Sequence, residues 1–350
     1  MRDCDSCLGS PNQRAWVRPR VDGFNVLGLQ LATNGDEIAG VWKAGDGALH
    51  FARFTKDLEL IAEKPGCSAL ESGGPISFAP TPGGWMVAVG AGIDGQMQLI
   101  RLDAEGNQVG TPRLVQDATF PTLVARPGTT PYLVYARGPL VASASDVVAE
   151  LLDQEGEPAW QVELPSAAFA ELTVAGFANP GLLVSARETD GATSRTVLVP
   201  IDEQGTLGTV RDLGDVFEIE MANAGPGLLA ASWRRGESQE LQWLDGDGAD
   251  VGAPVTLAPR DTATAFQERA LVVSEGRALV LLAEDTRKTL TAFHVEQDGS
   301  YAVTPYAFAT EPLGTSLVAG TQVGADAVFA WTTYSSTPAA DRFVLGKAKR

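Results

Sequence analysis

Cysteine is scarce in this chain, which holds three cysteines among 350 residues. Cys4 and Cys7 have C-x-x-C spacing, but no βαβ pattern surrounds them and no second pair follows, which argues against a redox motif or a zinc site. With Cys67 included, the cysteines are too few for a disulfide framework. We therefore predict that residues 1–13 form a flexible tail with a local disulfide or free thiols; a lipid-anchored Cys4 is the weaker alternative.

Histidine is scarcer still, because His50 and His294 are the only two. Both fall on predicted third strands, but in different and non-neighbouring repeats. A shared metal site or a Ser-His-Asp relay needs side chains that converge within a few ångströms. We therefore expect two ordinary strand residues, and we predict neither a metal site nor a cofactor.

Positive charge and long apolar runs are also in short supply. Against 44 acidic residues there are 26 basic ones, which gives a formal net charge of −18. Such a surface repels phosphate backbones, so we expect no nucleic acid partner. The longest strongly apolar run, 278–283, is too short to cross a bilayer, and we predict no transmembrane segment. No apolar export segment follows Met1. We expect an extracytoplasmic protein (periplasmic, cell-surface or secreted) whose export signal lies outside this numbering, with a cytosolic location as the alternative.

What the sequence has in abundance is turns: 38 glycines, 21 prolines and a repeated hairpin signal. An apolar strand leads into an acidic residue and, three residues later, usually a glycine. The copies are 43 to 51 residues apart, a period typical of propeller blades. They begin at Phe54 (a degenerate copy), Leu102, Leu152, Ile201, Leu244 and Val295, and one more step reaches the strand at 342–345.

Within each period, short apolar runs bounded by Gly or Pro indicate four strands. Four strands in about 48 residues predict blades of an all-β propeller. The last period has only three strands, whereas 14–20 is an unmatched strand at the start. We therefore predict a monomeric, seven-bladed β-propeller at 14–350, closed by the N-terminal strand joining the last blade. The predicted blades are 23–62, 74–115, 119–164, 169–213, 216–257, 264–308, and 315–347 with 14–20.

The repeats resemble those of large bacterial exported proteins, which pair a Gly-aromatic-Val-Val-x-Trp strand with an Arg-Phe-Asp-x-x-Gly hairpin. Here Gly84-Trp85-Met86-Val87-Ala88-Val89 and Arg101-Leu102-Asp103-Ala104-Glu105-Gly106 carry the likeness. It implies a propeller fold and export, and no activity. Trp42, Trp233 and Trp331 fall where the family usually has its tryptophan. Other residues stand at this position in the remaining repeats: Val89, Ala136, Ala186 and Ala283.

The acidic hairpins raise the question of calcium, above all Asp245-Gly246-Asp247-Gly248-Ala249-Asp250. A calcium loop needs five or more converging oxygens and usually a later bidentate carboxylate. Val251-Gly252-Ala253-Pro254 supplies none. Because Asp caps its own turn and Gly accepts positive φ, we interpret these segments as hairpin turns.

Basic residues recur at or near the loops between second and third strands. In a propeller these loops share a face with the connections between blades, so the set could bind an anionic ligand or partner. The simpler interpretation is that arginines on a polar rim pack their stems over apolar surface. Gly90 and Thr332 interrupt the set, whose members are Lys43, Arg137, Arg187, Arg234, Arg235 and Arg287.

Carboxylates occupy the predicted inter-blade loops on the same face, at Glu71, Asp117, Glu171, Glu218, Glu268 and Glu311. Two of them could perform acid–base chemistry, but nothing selects a pair. We therefore predict a non-enzymatic binding or scaffold propeller that engages a protein or glycan partner through this face. The alternatives are a carboxylate-dependent hydrolase or lyase acting at the channel mouth, and a structural spacer marked by an exposed apolar patch.

Overall fold

The computed structural model describes most of the chain. The described residues are 14–17, 27–35, 37–43, 48–64, 74–90, 95–126, 128–138, 146–164, 169–177, 181–190, 193–236, 238–259, 266–274, 276–284, 289–307, 314–334 and 342–348. Within these ranges all regular structure is β-strand, in seven four-stranded antiparallel sheets. These ranges contain no helix long and apolar enough to span a membrane. Two compact units divide the chain.

One unit, 67–259, contains four sheets whose strands follow one another in chain order. Sheet 2 comprises β6 (Ile76–Thr81), β7 (Gly84–Gly90), β8 (Gln96–Asp103) and β9 (Arg113–Gln116). Sheet 3 comprises β10 (Ala118–Val124), β11 (Tyr132–Arg137), β12 (Asp146–Leu152) and β13 (Pro158–Glu163). Sheet 4 comprises β14 (Phe169–Phe177), β15 (Leu182–Asp190), β16 (Thr193–Ile201) and β17 (Arg211–Gly214). Sheet 5 comprises β18 (Val216–Gly225), β19 (Leu228–Arg235), β20 (Ser238–Asp245) and β21 (Asp250–Pro259).

The other unit joins 1–66 to 260–350 and contains three sheets. Sheet 1 comprises β2 (Leu27–Thr33), β3 (Glu37–Lys43), β4 (Leu49–Thr55) and β5 (Leu60–Lys64). Sheet 6 comprises β22 (Phe266–Ser274), β23 (Arg277–Glu284), β24 (Thr289–Glu296) and β25 (Tyr301–Ala307). Sheet 7 comprises β26 (Gly314–Val323), β27 (Asp326–Tyr334), β28 (Arg342–Ala348) and β1 (Arg14–Val17).

The N-terminal strand completes the last sheet, as the sequence predicts. β1 pairs antiparallel with β28, in a register that places Arg14 opposite Gly346 and Val17 opposite Phe343. Because β28 ends the chain's own run of three strands, its outer edge would otherwise be left unpaired. Unpaired edges invite association, so a strand from the opposite terminus protects this one.

The prediction of one closed seven-bladed ring needs correction. The seven sheets divide between two compact units, four in one and three in the other. The physical reason is that a sequence period counts four-stranded repeats. It does not fix the angle between neighbouring sheets, on which the number of blades in a closed ring depends.

The cores of both units lie between neighbouring sheets. In the four-sheet unit Tyr132 and Val134 of sheet 3 join Leu182 and Val184 of sheet 4 in one apolar cluster. In the three-sheet unit Trp42 and Phe54 of sheet 1 share a cluster with Val328 and Leu345 of sheet 7. Each large apolar side chain removed from water in this way stabilises the fold by about 1.5–3 kcal/mol.

The acidic hairpins are turns, which confirms that prediction. The Oδ1 atoms of Asp103, Asp153, Asp202 and Asp245 each accept a hydrogen bond from the backbone N–H four residues later, at 2.7 to 2.8 Å. The glycine three residues after each aspartate has a φ of 79° to 83°. The Asp oxygens are therefore engaged by their own turns, and the backbone N–H of Thr206 lowers the pKa of Asp202. Within the described ranges no three potential ligand residues cluster around a metal position.

Candidate functional site

The predicted basic residues lie where second strands end. Lys43, Arg137 and Arg235 are the last residues of β3, β11 and β19, while Arg234 precedes Arg235 and Arg187 lies three residues before the end of β15. Arg287 is outside the described residues. Lys43 belongs to the three-sheet unit and the four arginines to the four-sheet unit. The structure therefore brings together only part of the predicted set.

Lys43 is a buried residue and not a surface cation. Only 2% of it is exposed, and burial lowers the pKa of its amine. Its neighbours Trp42 and His50 are opposite each other in the β3–β4 ladder and stack with ring centroids 5.4 Å apart. Both histidines lie on third strands, as expected, and burial lowers the pKa of His294.

Two of the predicted arginines meet at a phenylalanine that sequence reasoning missed. Phe217 lies opposite Arg234 in the β18–β19 ladder, and the guanidinium carbon of Arg234 is 4.0 Å from the centre of its ring. The guanidinium of Arg187, on the preceding sheet, is 5.7 Å from the same centre. Arg187 also donates to the Oδ1 of Asp215 at 3.1 Å. We call Arg187, Asp215, Phe217 and Arg234 the Phe217 cluster.

A sequence signal for this cluster exists. Phe169 lies opposite Arg187 in the β14–β15 ladder, just as Phe217 lies opposite Arg234 in the next sheet. The two phenylalanines are 48 residues apart and the two arginines 47, which is one repeat period. A search for recurring aromatic–arginine pairs, instead of recurring positive charge, would have found them.

Most of the rim arginines have carboxylate partners. Arg137 forms an ion pair with Glu163, and Arg187 with Asp215. Arg235 donates from Nε to the Oε2 of Glu240 at 3.1 Å, and the indole N–H of Trp233 donates to the same oxygen at 2.9 Å. This rim is therefore charge-paired, which weakens the interpretation of the arginines as a site for anions.

Arg137 is also connected to a buried acidic residue that sequence reasoning missed. Arg137 and the hydroxyl of Tyr135 interact, and that hydroxyl donates to the Oε1 of Glu150 at 2.9 Å. Burial and the neighbouring carboxylate of Glu150 raise the pKa of Tyr135 to about 12. Glu150 interrupts the otherwise apolar run Val147-Val148-Ala149-Glu150-Leu151-Leu152, and a lone charge in such a run is the signal that marks it.

The predicted loop carboxylates do not yield a catalytic pair in the part of the chain that is described. Glu71 and Glu311 lie outside it, and the side chains of Glu171, Glu218 and Glu268 are not among those described. Asp117 is described; it is exposed and has a positive φ of 53°. The cysteines Cys4, Cys7 and Cys67 also lie outside the described residues.

Exposed large apolar side chains concentrate on fourth strands. Leu60 and Ile61 lie on β5, Leu114 on β9, and Tyr301 and Val303 on β25. They lie on three sheets, two of them in the three-sheet unit and one in the four-sheet unit.

No family model and no curated protein matches the chain. Solved structures do match. Hydrazine synthase of Kuenenia stuttgartiensis is 9% identical, with 93% of this chain and 96% of that chain covered and a TM-score of 0.57. A six-bladed propeller lectin of Aleuria aurantia is 13% identical over 83% of this chain and 99% of that chain, with a TM-score of 0.53. The WD40 domain of Toxoplasma gondii coronin is 8% identical over 98% and 88%, with a TM-score of 0.53.

The comparisons bear on the number of blades as well. Nearly the whole of a six-bladed lectin is covered by 83% of this chain, so the likeness does not single out seven blades. This likeness to a six-bladed propeller overturns the predicted seven-bladed ring. At identities this low the likeness shows the fold alone. The fold of the chain is an all-β β-propeller that resembles those of lectins and WD40 domains.

Proposed function

We propose that the chain is a non-enzymatic binding or scaffold protein that engages a protein or glycan partner. The partner docks on the face that carries the strand 2–3 loops and the connections between sheets. Rigid sheets leave such loops free to form a recognition surface. The propellers that the chain resembles include a lectin solved with a methyl fucoside and a WD40 domain.

The observation that carries the proposal is the Phe217 cluster. Its residues come from the ends of β15, β18 and β19 and from the connection before β18. Guanidinium groups held against an aromatic ring are typical of recognition surfaces, because the ring fixes a charged donor that would otherwise be mobile. Arginine and aromatic residues are also the types enriched where binding energy is concentrated.

The test compares the wild type with the triple variant Arg137→Ala/Arg187→Ala/Arg234→Ala. Each is immobilised and used to capture proteins from an extract, and each is applied to a glycan array. We expect at least one reproducible partner of the wild type to be lost or weakened by about tenfold or more in the triple variant, since residues that anchor an interface typically contribute more than 1 kcal/mol each.

Arg126→Ala is the matched control. The guanidinium of Arg126 is 4.9 Å from the ring centre of Tyr132. This variant therefore removes an arginine stacked on an aromatic residue, but at the end of sheet 3 opposite to Arg137. The control should bind as the wild type does, and all variants should melt cooperatively. If the triple variant bound every partner as strongly as the wild type does, the proposal that partners dock on this face would be wrong.

An extracytoplasmic location is part of the same proposal. It is supported by the acidic surface and by the likeness of the repeats to exported proteins. Mass spectrometry of the mature N-terminus tests the lipid-anchored form of this proposal: a modified Cys4 supports it, and an unmodified Met1 start ends it.

A further inference from the structure

Each carboxylate described around the Phe217 cluster is paired with an arginine. Arg187 pairs with Asp215 and Arg235 with Glu240, while Arg195 contacts both Glu188 and Asp212 at 2.6 and 3.2 Å. With Arg234, the described side chains on this end of sheets 4 and 5 include four guanidinium groups and these four carboxylates. An anionic ligand would have to displace or approach the carboxylates that already neutralise the arginines, at an electrostatic cost. The local charge therefore favours an uncharged ligand.

Within the Phe217 cluster a hydrogen-bond donor, Arg187, lies beside an acceptor, Asp215. Arg187 can only donate hydrogen bonds and ionised Asp215 can only accept them. Their atoms lie 3.1 Å apart; the Asp215 side chain is 69% exposed and that of Arg187 19%. A ligand that bridges such a pair must itself both accept and donate within one short stretch. Two adjacent hydroxyl groups on a sugar ring meet this requirement, because each hydroxyl is donor and acceptor at once.

Phe217 holds the donors in place. Arg234 lies over the ring at 4.0 Å and Arg187 lies near it at 5.7 Å. Stacking fixes the plane of a guanidinium and leaves its edge, where the N–H groups are, available to partners. A fixed donor loses less conformational entropy on binding, which matters most for weakly bound small ligands.

We infer that the Phe217 cluster is a subsite for a neutral saccharide, gripped through a vicinal pair of hydroxyls by Arg187 and Asp215. This inference rests on the proposed function, since it names the partner class of the face proposed above. Affinity for a single sugar unit is expected to be weak, as few atoms are buried and only a few hydrogen bonds form.

Asp215→Asn is the deciding variant. The change removes one negative charge, and it replaces an acceptor-only group by an amide that also donates. A neutral diol exchanges a charged acceptor for a weaker, neutral amide oxygen, so we expect binding to fall by about tenfold, the amount that one hydrogen bond to a charged group supports. An anionic ligand would gain, because the carboxylate that competes with it for Arg187 has gone.

The experiment uses the full chain on an array of immobilised neutral saccharides beside uronate-bearing and sulfated ones. Methyl glycosides of neutral hexoses serve as soluble competitors, and glucuronate and galacturonate as anionic ones. Asp247→Asn is the matched control. Asp247 is exposed on the β20–β21 hairpin at the other end of sheet 5, so the net charge changes equally and the cluster is untouched. Binding of neutral sugars should also vary little with salt, because no net charge is exchanged.

The outcomes separate the two proposals. Neutral saccharide binding that Asp215→Asn weakens and Asp247→Asn leaves unchanged supports the inference. Binding only of anionic saccharides or of a protein, strengthened or unaffected by Asp215→Asn, overturns the inference and leaves the proposed function standing. If no binding of any kind depends on Arg187 and Arg234, both the saccharide inference and the proposed binding function are wrong.

Discussion

Arg113 of sheet 2 donates to both carboxylate oxygens of Glu150 of sheet 3, at 2.9 and 3.2 Å, and so joins two neighbouring sheets through a buried ion pair. Glu150 is 0% exposed. Arg113 donates in addition to the carbonyl oxygen of Gly156 at 3.1 Å, and Tyr135 donates to Glu150. A buried charge is tolerated when its hydrogen bonds are satisfied in this way.

Removing one partner of this pair should be costly. We expect Arg113→Ala to destabilise the four-sheet unit by about 3–5 kcal/mol, because it leaves the Glu150 carboxylate buried without its cation. Thermal and urea unfolding followed by circular dichroism measure the effect. The double variant Arg113→Ala/Glu150→Leu should recover much of the loss, since an apolar residue needs no counter-charge.

Arg277→Ala is the control for that prediction. Arg277 pairs with Glu296, but both side chains are about 40% exposed. Pairs of this kind contribute about 0–1 kcal/mol. An Arg113→Ala variant as mild as Arg277→Ala would contradict the prediction that burial makes the Arg113–Glu150 pair costly to break.

Tyr135 should make the native fold sensitive to alkali. Its pKa is raised to about 12 from an ordinary value of 10.0, so the native state retains the phenolic proton more strongly than the unfolded chain does. The stabilisation is therefore complete below pH 10 and is lost as the pH rises from about 10 to about 12. We expect Tyr135→Phe to lack this part of the alkaline decline, measured as melting temperature against pH. A decline of equal size in the variant would contradict the assignment.

The repeated hairpins were predictable because their causes are local. An aspartate that caps its own turn and a glycine at positive φ act within five residues, so Asp103 and Gly106 could be interpreted without knowing the rest of the fold. The pairing of β1 with β28 was predictable for another reason. One strand was missing from the last repeat and one was unmatched at the start, and an unpaired edge is unfavourable.

The side-chain arrangement of the site was not predictable in the same way. The repeat places Arg187 near the end of a second strand, but the partners of a long side chain depend on what neighbouring sheets present to it. Asp215 and Phe217 come from the next repeat, and sequence position gives no distance to them. Lys43 was grouped with exposed cations because strand ends are usually solvated, yet packing buries it.

Gly205 should tolerate substitution poorly for two separable reasons. Its φ is +82°, where an L-residue is strained by about 1–2 kcal/mol. An added Cβ would also lie 3.0 Å from Cδ2 of Trp160, whose indole N–H donates to the carbonyl of Glu203 at 2.9 Å. Gly205→Ala should therefore add backbone strain, and it should also disturb the contact with Trp160 between sheets 3 and 4.

Gly252→Ala measures the cost of backbone strain alone. Gly252 has the same φ of +82°, but an added Cβ would meet nothing within 4 Å. We expect both variants to unfold at lower temperature than the wild type, and Gly205→Ala at the lower temperature of the two. Trp160 fluorescence should change in Gly205→Ala alone. Equal melting temperatures would mean that the Trp160 side chain moves aside without cost.

Deleting residues 1–17 should open sheet 7. The β1 strand is removed, and the outer backbone N–H and C=O groups of β28 between Phe343 and Gly346 lose the ladder that satisfies them. We expect a lower melting temperature together with association that increases with protein concentration, because an uncovered edge pairs with other chains. Deletion of residues 1–13 is the matched control, as it shortens the chain almost as much and keeps β1. Light scattering after size-exclusion chromatography measures both variants. If the longer deletion remained as stable and as monodisperse as the shorter one, β1 would contribute neither stability nor edge protection, and the pairing with β28 would be incidental to the fold.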